Sequence, residues 1–253
     1  MTIKLHLETI GNGPPLVMLH GWGWHSGIWE PLIPILSKNF RLFLIDLPGF
    51  GKSPILTSNY DFESIAPLIF DVVPEQAAWL GWSLGGMLAW WVAIHYPEKV
   101  TRLITVASSP KFVSDENWPG VTVSALEKFS NLLGVDHIKT LKEFLELQLR
   151  GGEHSYELLS LLQNQLLNAK MELTALFGGL QLLRELDLRN TLNKMKIPSL
   201  HLFGSHDTLV PASIADRLQS MLPYGKCEIV KRAGHMPFLS HTEVFTSLLC
   251  MHS

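Results

Sequence analysis

Cysteine is nearly absent: Cys227 and Cys250 are the only two in 253 residues. Two cysteines make no disulfide framework, so free thiols in a reducing compartment are expected. An excess of charge of either sign is missing too. Twenty basic against 23 acidic residues leave a formal net charge of −3, which gives no general drive toward nucleic acid or membrane surfaces. No apolar run approaches the ~20 residues of a membrane span. Met1 to His6 lacks the apolar core of a signal peptide, so a cytoplasmic location is expected. The 11 histidines are scattered and show no metal-ligand spacing such as His-Glu-x-x-His, so neither a metal nor a cofactor is expected. There is no fixed-period repeat, and a monomer is the working expectation.

What the chain does have is apolar content, 47% of its residues, enough for one large α/β domain or two small ones. The organising stretch is Gly81-Trp82-Ser83-Leu84-Gly85. An apolar run from Ala77 to Leu80 enters it, and a helix-compatible stretch from Met87 to His95 leaves it. Strand, sharp turn with a serine between glycines, then helix is the setting of a nucleophile elbow. The flanking Gly81 and Gly85 avoid a clash with the neighbouring turn, and Gly86 allows close helix–strand packing.

Other strands read as short apolar runs bounded by turns. Lys4–Ile10, Leu16–His20, Arg41–Ile45, Val100–Ala107, Ser199–Phe203 and Cys227–Val230 fit this pattern, with a helix expected over Trp29–Leu36. Alternating strands and helices predict a doubly wound, mostly parallel sheet. From 112 to 187 no strand-like run occurs. Instead Leu126, Leu132, Leu133, Leu141, Leu145, Leu149, Leu158, Leu159, Leu162 and Leu166 recur at helical spacing, predicting three or four amphipathic helices. The expected organisation is an α/β core from 1–111 and 188–253, interrupted by a helical lid over the sheet's carboxyl edge, where ligands of open α/β sheets bind.

A serine hydroxyl needs a base, and the base needs an orienting carboxylate. In the α/β-hydrolase fold the chain order is Ser, then Asp or Glu, then His. Asp207 follows the Ser199–Phe203 run and His235 follows the Cys227–Val230 run, so both fall on the Ser83 edge of the sheet. His206 and His241 are rival bases. His206 adjoins the acid and would point elsewhere, and His241 opens the last helix. Two backbone N–H groups must hold the oxyanion of acyl transfer. Leu84 follows the nucleophile, and Trp22 lies in the His20-Gly21-Trp22-Gly23 loop after an early strand. The Trp22 side chain is expected to wall the pocket. Asp46 is read as structural, because Pro48-Gly49-Phe50-Gly51 after it makes a tight turn. Gly49 to Ser53 lacks phosphate-loop spacing, which argues against nucleotide binding.

Several motifs are more specific than the fold. His20-Gly-Trp-Gly, Asp46-Leu-Pro-Gly-Phe-Gly, Trp79-Leu-Gly-Trp-Ser-Leu-Gly-Gly, Val106-Ala-Ser-Ser-Pro, Glu116-Asn-Trp-Pro-Gly, Phe144-Leu-Glu-Leu-Gln148, Gly178-Gly-Leu and Asp187-Leu-Arg span nearly the whole chain. Together they resemble the pimeloyl-[acyl-carrier protein] methyl ester esterases of biotin synthesis. The resemblance implies a serine carboxylesterase that removes a methyl cap from a carrier-bound pimeloyl chain. It implies Ser83, Asp207 and His235 as the triad, and Trp22 and Leu84 at the oxyanion and substrate positions. Phe144, Leu145, Glu146, Leu147 and Gln148 would line the acyl tunnel, with Trp118 available as a further wall. It also implies an acyl-carrier protein docking on the lid. Between Lys111 and Asn190, however, five Lys and three Arg face eleven Asp plus Glu. The cations available to an acidic partner are therefore few: Lys139 and Lys142 first, then Lys111, Arg150 and Lys170. The competing reading on the same triad is a general carboxylesterase or thioesterase for short acyl groups. Dehalogenases and epoxide hydrolases of this fold use a carboxylate nucleophile, and Ser83 argues against them.

Overall fold

The computed structural model describes residues 3–251. Its centre is set by strands with apolar side chains on both faces. β1 (Leu7–Ile10) is partly exposed. β2 (Pro15–Leu19) and β3 (Arg41–Ile45) each bury four consecutive residues. β4 (Ala77–Trp82) and β5 (Val100–Val106) continue the pattern, and β6 (Ser199–Gly204) buries all six of its residues. Successive side chains point to opposite faces, so unbroken burial means that the sheet is covered on both sides. β7 (Gly225–Val230) is half-exposed, as an edge strand can be.

The sheet order is β1-β3-β2-β4-β5-β6-β7. β1 runs antiparallel to β3, and every other neighbouring pair is parallel. Leu19 lies opposite Gly81, Trp82 opposite Val106, and Gly204 opposite Val230. The loops after β2, β4, β6 and β7 therefore open on one edge.

Ten helices surround the sheet among the described residues: α1 (Ile33–Leu36), α2 (Phe62–Phe70), α3 (Leu84–His95), α4 (Val123–Val135), α5 (His137–Leu149), α6 (Ser155–Asn168), α7 (Leu173–Glu185), α8 (Ile214–Met221), α9 (Pro237–Ser240) and α10 (Thr242–Met251). α3 is apolar all round and buries every residue from Leu84 to Ala93. At about 1.5–3 kcal/mol for each large side chain, that burial anchors the turn in front of it.

Two local expectations are corrected. Trp29–Leu36 is not one helix: a 3-10 segment, Ser26–Leu32, gives way to the single turn of α1. Pro31 and Pro34 remove the N–H donors that a continuous α-helix would use. The first strand begins at Leu7 rather than Lys4, where its ladder with β3 starts.

Between β5 and β6 the chain forms α4–α7 with isolated bridges and no strand. Thr122 caps α4 by accepting from Ala125 N–H, and Asp136 caps α5 by accepting from Lys139 N–H. Seven of the ten predicted leucines are buried, whereas Leu132 is 42% exposed and Leu158 and Leu159 are intermediate. The two ends of this helical block are tied together. Lys111 bridges Asp187 in antiparallel fashion. Its ammonium lies 2.9 Å from Asp115 and 3.3 Å from Asp187, and Arg189 reaches the same carboxylates at 2.8 and 2.6 Å. Hydrogen bonds from Lys111 hold Asp115 well below the usual carboxylate range, and those from Arg189 do the same for Asp187. Trp118 is buried in this clasp. Its indole N–H faces Ser109 Oγ at 3.1 Å and the Lys111 carbonyl at 3.0 Å, with the Arg189 guanidinium over its ring.

Candidate active site

Ser83 ends β4 and precedes α3 with φ +53° and ψ −117°. A non-glycine residue there carries backbone strain, on the order of 1–3 kcal/mol, which its surroundings must offset. Ser83 N–H donates to Val106 O at 3.0 Å, and its carbonyl accepts from Ser108 Oγ at 2.8 Å and Met87 N–H at 3.0 Å. The glycines are needed for close approach. A Cβ on Gly81 would sit 2.2 Å from Gly85 O, and one on Gly85 would sit 2.4 Å from His20 O. The second contact also shows how tightly the first turn of α3 abuts the end of β2.

His235 is held at four points. Its N–H donates to Gln148 O at 3.1 Å, and its carbonyl accepts from Trp82 Nε1 at 2.9 Å. Nδ1 meets Asp207 Oδ2 at 2.7 Å, and the Trp82 ring lies 5.7 Å away between centroids. Asp207 has no exposed side-chain surface. Its other oxygen accepts from Leu209 N–H at 2.8 Å and Val210 N–H at 3.0 Å. A carboxylate only accepts, so Nδ1 carries the proton and Nε2 keeps its lone pair. Nε2 is buried and makes no hydrogen bond among the described residues. An orphaned buried nitrogen is costly, about 1–3 kcal/mol, and is expected where a reactant is to be met.

The rival histidines are engaged elsewhere. His206 Nδ1 lies 2.6 Å from Gly151 O on the exposed side, and His241 Nε2 lies 3.1 Å from Glu153 Oε2.

The N–H of Leu84 opens α3, and that of Trp22 lies in the turn after β2, the neighbour of β4. Among the described residues no carbonyl or side chain accepts from either. His20 stiffens the Trp22 turn. Leu47 N–H donates to His20 Nε2 at 2.9 Å, so the ring proton sits on Nδ1 and meets Gly21 O at 2.8 Å. Full burial lowers the His20 pKa to about 4, despite the opposing pull of Asp46. Asp46 itself is structural, as expected. Burial alone would push its carboxyl up, but N–H groups of Lys52 and Ser26 and the nearby His20 outweigh it and hold it below its usual range.

Helices α5 and α7 close over this edge. Trp22 is buried; its indole N–H donates to Leu176 O at 2.8 Å, and its ring meets Phe144 edge-on at 5.1 Å. Next to it is an apolar cavity of about 100 Å³ among Phe129, Phe144, Leu147, Leu180, Leu183 and Leu209. The residues around the site thus present a strained serine, an imidazole held by a buried acid at Nδ1 and open at Nε2, and two free N–H donors. That set can carry out acyl transfer through a covalent serine ester.

A family model described as the alpha/beta hydrolase fold matches residues 14–242. The pimeloyl-[acyl-carrier protein] methyl ester esterase of Aeromonas hydrophila subsp. hydrophila is 37% identical over 249 residues, covering 98% of each chain. The protein so named from Legionella pneumophila (strain Lens) is 39% identical over 247 residues, again covering 98% of each. The chain belongs to the pimeloyl-[acyl-carrier protein] methyl ester esterase family of α/β hydrolases. Among solved structures, an esterase from Exiguobacterium antarcticum superposes with a TM-score of 0.88 at 26% identity, over 98% of this chain and 95% of that one.

For this esterase-family chain, the tunnel segment expected on α5 divides by helix face. Phe144 and Leu147 line the cavity, and Leu145 and Gln148 are buried beside it. Glu146 is exposed on the opposite face, because a helix cannot turn five consecutive side chains to one side. Trp118 is in the clasp and not in the cavity wall, since the chain entering the helical block folds back onto the chain leaving it. Three residues around the site were not assigned these contacts from sequence. Trp82 holds the His235 carbonyl. Gln148 takes the His235 N–H through its own carbonyl and accepts from Trp24 Nε1 at 3.1 Å through its side chain. His20 ties two loops together. Each contact joins segments far apart in sequence, and no local pattern signals it.

Proposed function

We propose that Ser83, His235 and Asp207 form the catalytic triad of a carboxylesterase that hydrolyses the methyl ester of pimeloyl-[acyl-carrier protein], releasing the pimeloyl carboxylate. Ser83 Oγ attacks the ester carbonyl while His235 Nε2 takes its proton. Asp207 keeps Nδ1 protonated and stabilises the imidazolium. The N–H groups of Trp22 and Leu84 receive the oxyanion, each contributing about 2.7–4 kcal/mol to the transition state if measured cases transfer. Methanol leaves with the proton from His235. Water, activated by the same nitrogen, then attacks the acyl-serine and frees the carboxylate and Ser83.

The full-length similarity to relatives of that name carries the choice of substrate. The apolar cavity beside Trp22 supports it, since a pimeloyl chain is an unbranched run of methylenes. In this reading residues 112–187 act as a lid, and an acidic carrier protein docks on it through Lys139 and Lys142, with Arg150 and Lys170 as further cations, whereas Lys111 is taken up by Asp115 and Asp187. The enzyme works as a monomer.

The test offers purified protein the methyl ester of the pimeloyl carrier protein and, in parallel, p-nitrophenyl butyrate. Cleavage of the carrier-bound ester, abolished in Ser83→Ala, is the expected result. Turnover of the short ester alone would replace this reading by a general short-acyl carboxylesterase. Failure of Ser83 to take a fluorophosphonate label would remove the mechanism itself.

A further inference from the structure

Helix α7 carries Gly178 and Gly179 side by side in its interior, although glycine is the weakest helix former after proline. Close packing explains both. A Cβ on Gly178 would sit 2.5 Å from Tyr60 Cβ and Cγ. A Cβ on Gly179 would sit 2.6 Å from Trp22 Cδ1, 3.1 Å from Trp22 Nε1 and 3.2 Å from Leu84 Cδ2. One bare position of α7 thus lies against the side chains of both residues whose N–H groups are assigned to the oxyanion. Those two donors are not equally secured. Leu84 opens α3 and is fixed by that buried helix. The backbone of Trp22 and of Gly23 makes no hydrogen bond to any described residue, and Gly23 turns with φ +73°. What holds Trp22 is its indole. The ring N–H donates to Leu176 O of α7 at 2.8 Å, while Phe129 of α4 and Phe144 of α5 meet the ring edge-on at 5.5 and 5.1 Å. A ring gripped in this way cannot swing aside for a new methyl group.

We propose that Gly179 is a positioning residue for the oxyanion hole: its bare backbone seats α7 on the Trp22 indole and the Leu84 side chain, and so sets where the two N–H donors stand relative to each other. The inference rests on the esterase reading above and adds a residue that touches no reacting atom. Oxyanion donors work only when they are held at hydrogen-bonding distance from the place where the charge develops. The turn after β2 has no backbone hydrogen bonds of its own at Trp22, so the contact with α7 supplies the missing restraint. A Cβ at 2.6 Å falls about 0.8 Å short of the 3.4 Å at which ordinary contact begins. The indole or the helix must therefore yield by nearly that much in a close-packed interior. A misplacement of about 1 Å in catalytic geometry costs up to on the order of 10²-fold in rate. The loss falls on kcat, because the oxyanion exists in the transition state and not in the bound ester.

The test is Gly179→Ala, assayed on p-nitrophenyl acetate and p-nitrophenyl hexanoate and against a hexyl trifluoromethyl ketone. That ketone takes the Ser83 oxygen at its carbonyl carbon; the C=O π bond breaks, the hydroxyl proton passes to His235 Nε2, and the resulting oxyanion needs the same two donors. In Gly179→Ala, kcat should fall about tenfold to a hundredfold, by one factor on both esters, with KM within about twofold of wild type. The inhibition constant of the ketone should rise by that same factor, a parallel that a loss of folded protein does not produce. A soluble variant with kcat within about twofold of wild type overturns the proposal. So does a loss carried by KM and confined to the hexanoate, which would make Gly179 a wall of the acyl pocket. Should Gly179→Ala yield no soluble protein, Trp22→Phe carries the test. It keeps both glycines and removes the bond to Leu176 O, and it must show the same fall in kcat and the same weakening of the ketone; a kcat within about twofold of wild type overturns the proposal. A wild-type enzyme that hydrolyses the esters but is not inhibited by the ketone overturns the oxyanion assignment itself, whatever the variants do.

Discussion

Replacing Asp207 by Asn removes one charge and almost no volume, and the hydrogen bonds around it decide the outcome. Asp207 Oδ1 accepts two backbone N–H groups, from Leu209 and Val210, while Oδ2 faces His235 Nδ1 at 2.7 Å. The amide can turn either way. With its oxygen toward the backbone, both N–H bonds survive and the NH₂ faces Nδ1. With its NH₂ toward the backbone, two buried donors lose their acceptor, at about 1–3 kcal/mol each. The first orientation wins by roughly 2–6 kcal/mol. It presents a donor to Nδ1, so the imidazole must carry its proton on Nε2, the nitrogen that should be the base. Asp207→Asn should therefore fold normally and lose kcat by on the order of 10⁴-fold, as the tautomer argument gives elsewhere. That loss corresponds to about 5 kcal/mol of transition-state stabilisation. Initial rates of p-nitrophenyl butyrate hydrolysis measure it, with circular dichroism melting as the control for folding. A variant within about tenfold of wild type, with an unchanged melt, would refute the assignment and require another carboxylate to orient His235.

Gly85→Ala should abolish soluble folded protein or lower its Tm sharply, because the new Cβ would sit 2.4 Å from the His20 carbonyl and 2.5 Å from that of Leu19, both backbone atoms. Expression and thermal melting check this. Glu153 grips both flanks of the loop that carries His235: its N–H donates to Arg232 O, and its carboxylate meets the Arg232 guanidinium and His241 Nε2. Glu153→Ala should lower kcat about two- to fivefold with KM little changed, in keeping with the loss of partly exposed pairs worth about 1 kcal/mol. An unmoved kcat in steady-state kinetics would show that the loop holds itself. Burial depresses His20 to about 4 and His201 to about 3, while both return to the ordinary 6.5 on unfolding. The unfolded chain thus binds more protons below pH 6.5, and stability present above that value is lost as pH falls toward 4. At pH 5 each histidine should cost about 2 kcal/mol relative to neutral pH. Urea midpoints measured from pH 7 to pH 5 that did not fall would contradict the buried neutral state of both rings.

Much of this architecture was legible because it is written in local chemistry. Arg41–Ile45 reads as a strand and is one, since four apolar residues between turns leave little else to be. The elbow was legible because Gly81, Ser83 and Gly85 each answer a backbone demand that a sequence can state. Chain order then placed Asp207 and His235 at strand ends on the same edge. Where the reading stopped, the cause was physical. Helix α2 carries Pro67 in its interior, which hides a nine-residue helix capped by Asp61. α8 is only eight residues long, too short to establish a period. Glu146 fell into the site because a motif runs consecutively while a helix face does not. Gln148 and Trp82 reach His235 across 87 and 153 positions of chain, as the numbering 235 − 148 and 235 − 82 shows. Contacts at that range follow from the sheet order, which no periodicity encodes.

The charged clasp at Lys111, Asp115, Asp187 and Arg189 bears on how such an enzyme can be remade. The chain leaves the sheet and returns to it at two paired residues, so the sheet sees residues 112–187 as it would see a short turn. The entropy of closing that long excursion is met at its base by the bridge, the ion pairs and Trp118, not by β5 and β6. Segments joined in this way are portable. A helical block cut at Lys111 and Asp187 and grafted onto the same base in a relative should keep the recipient's strand register and carry most of the cavity wall with it, provided that Gln148 and Glu153 still meet the loop that holds His235.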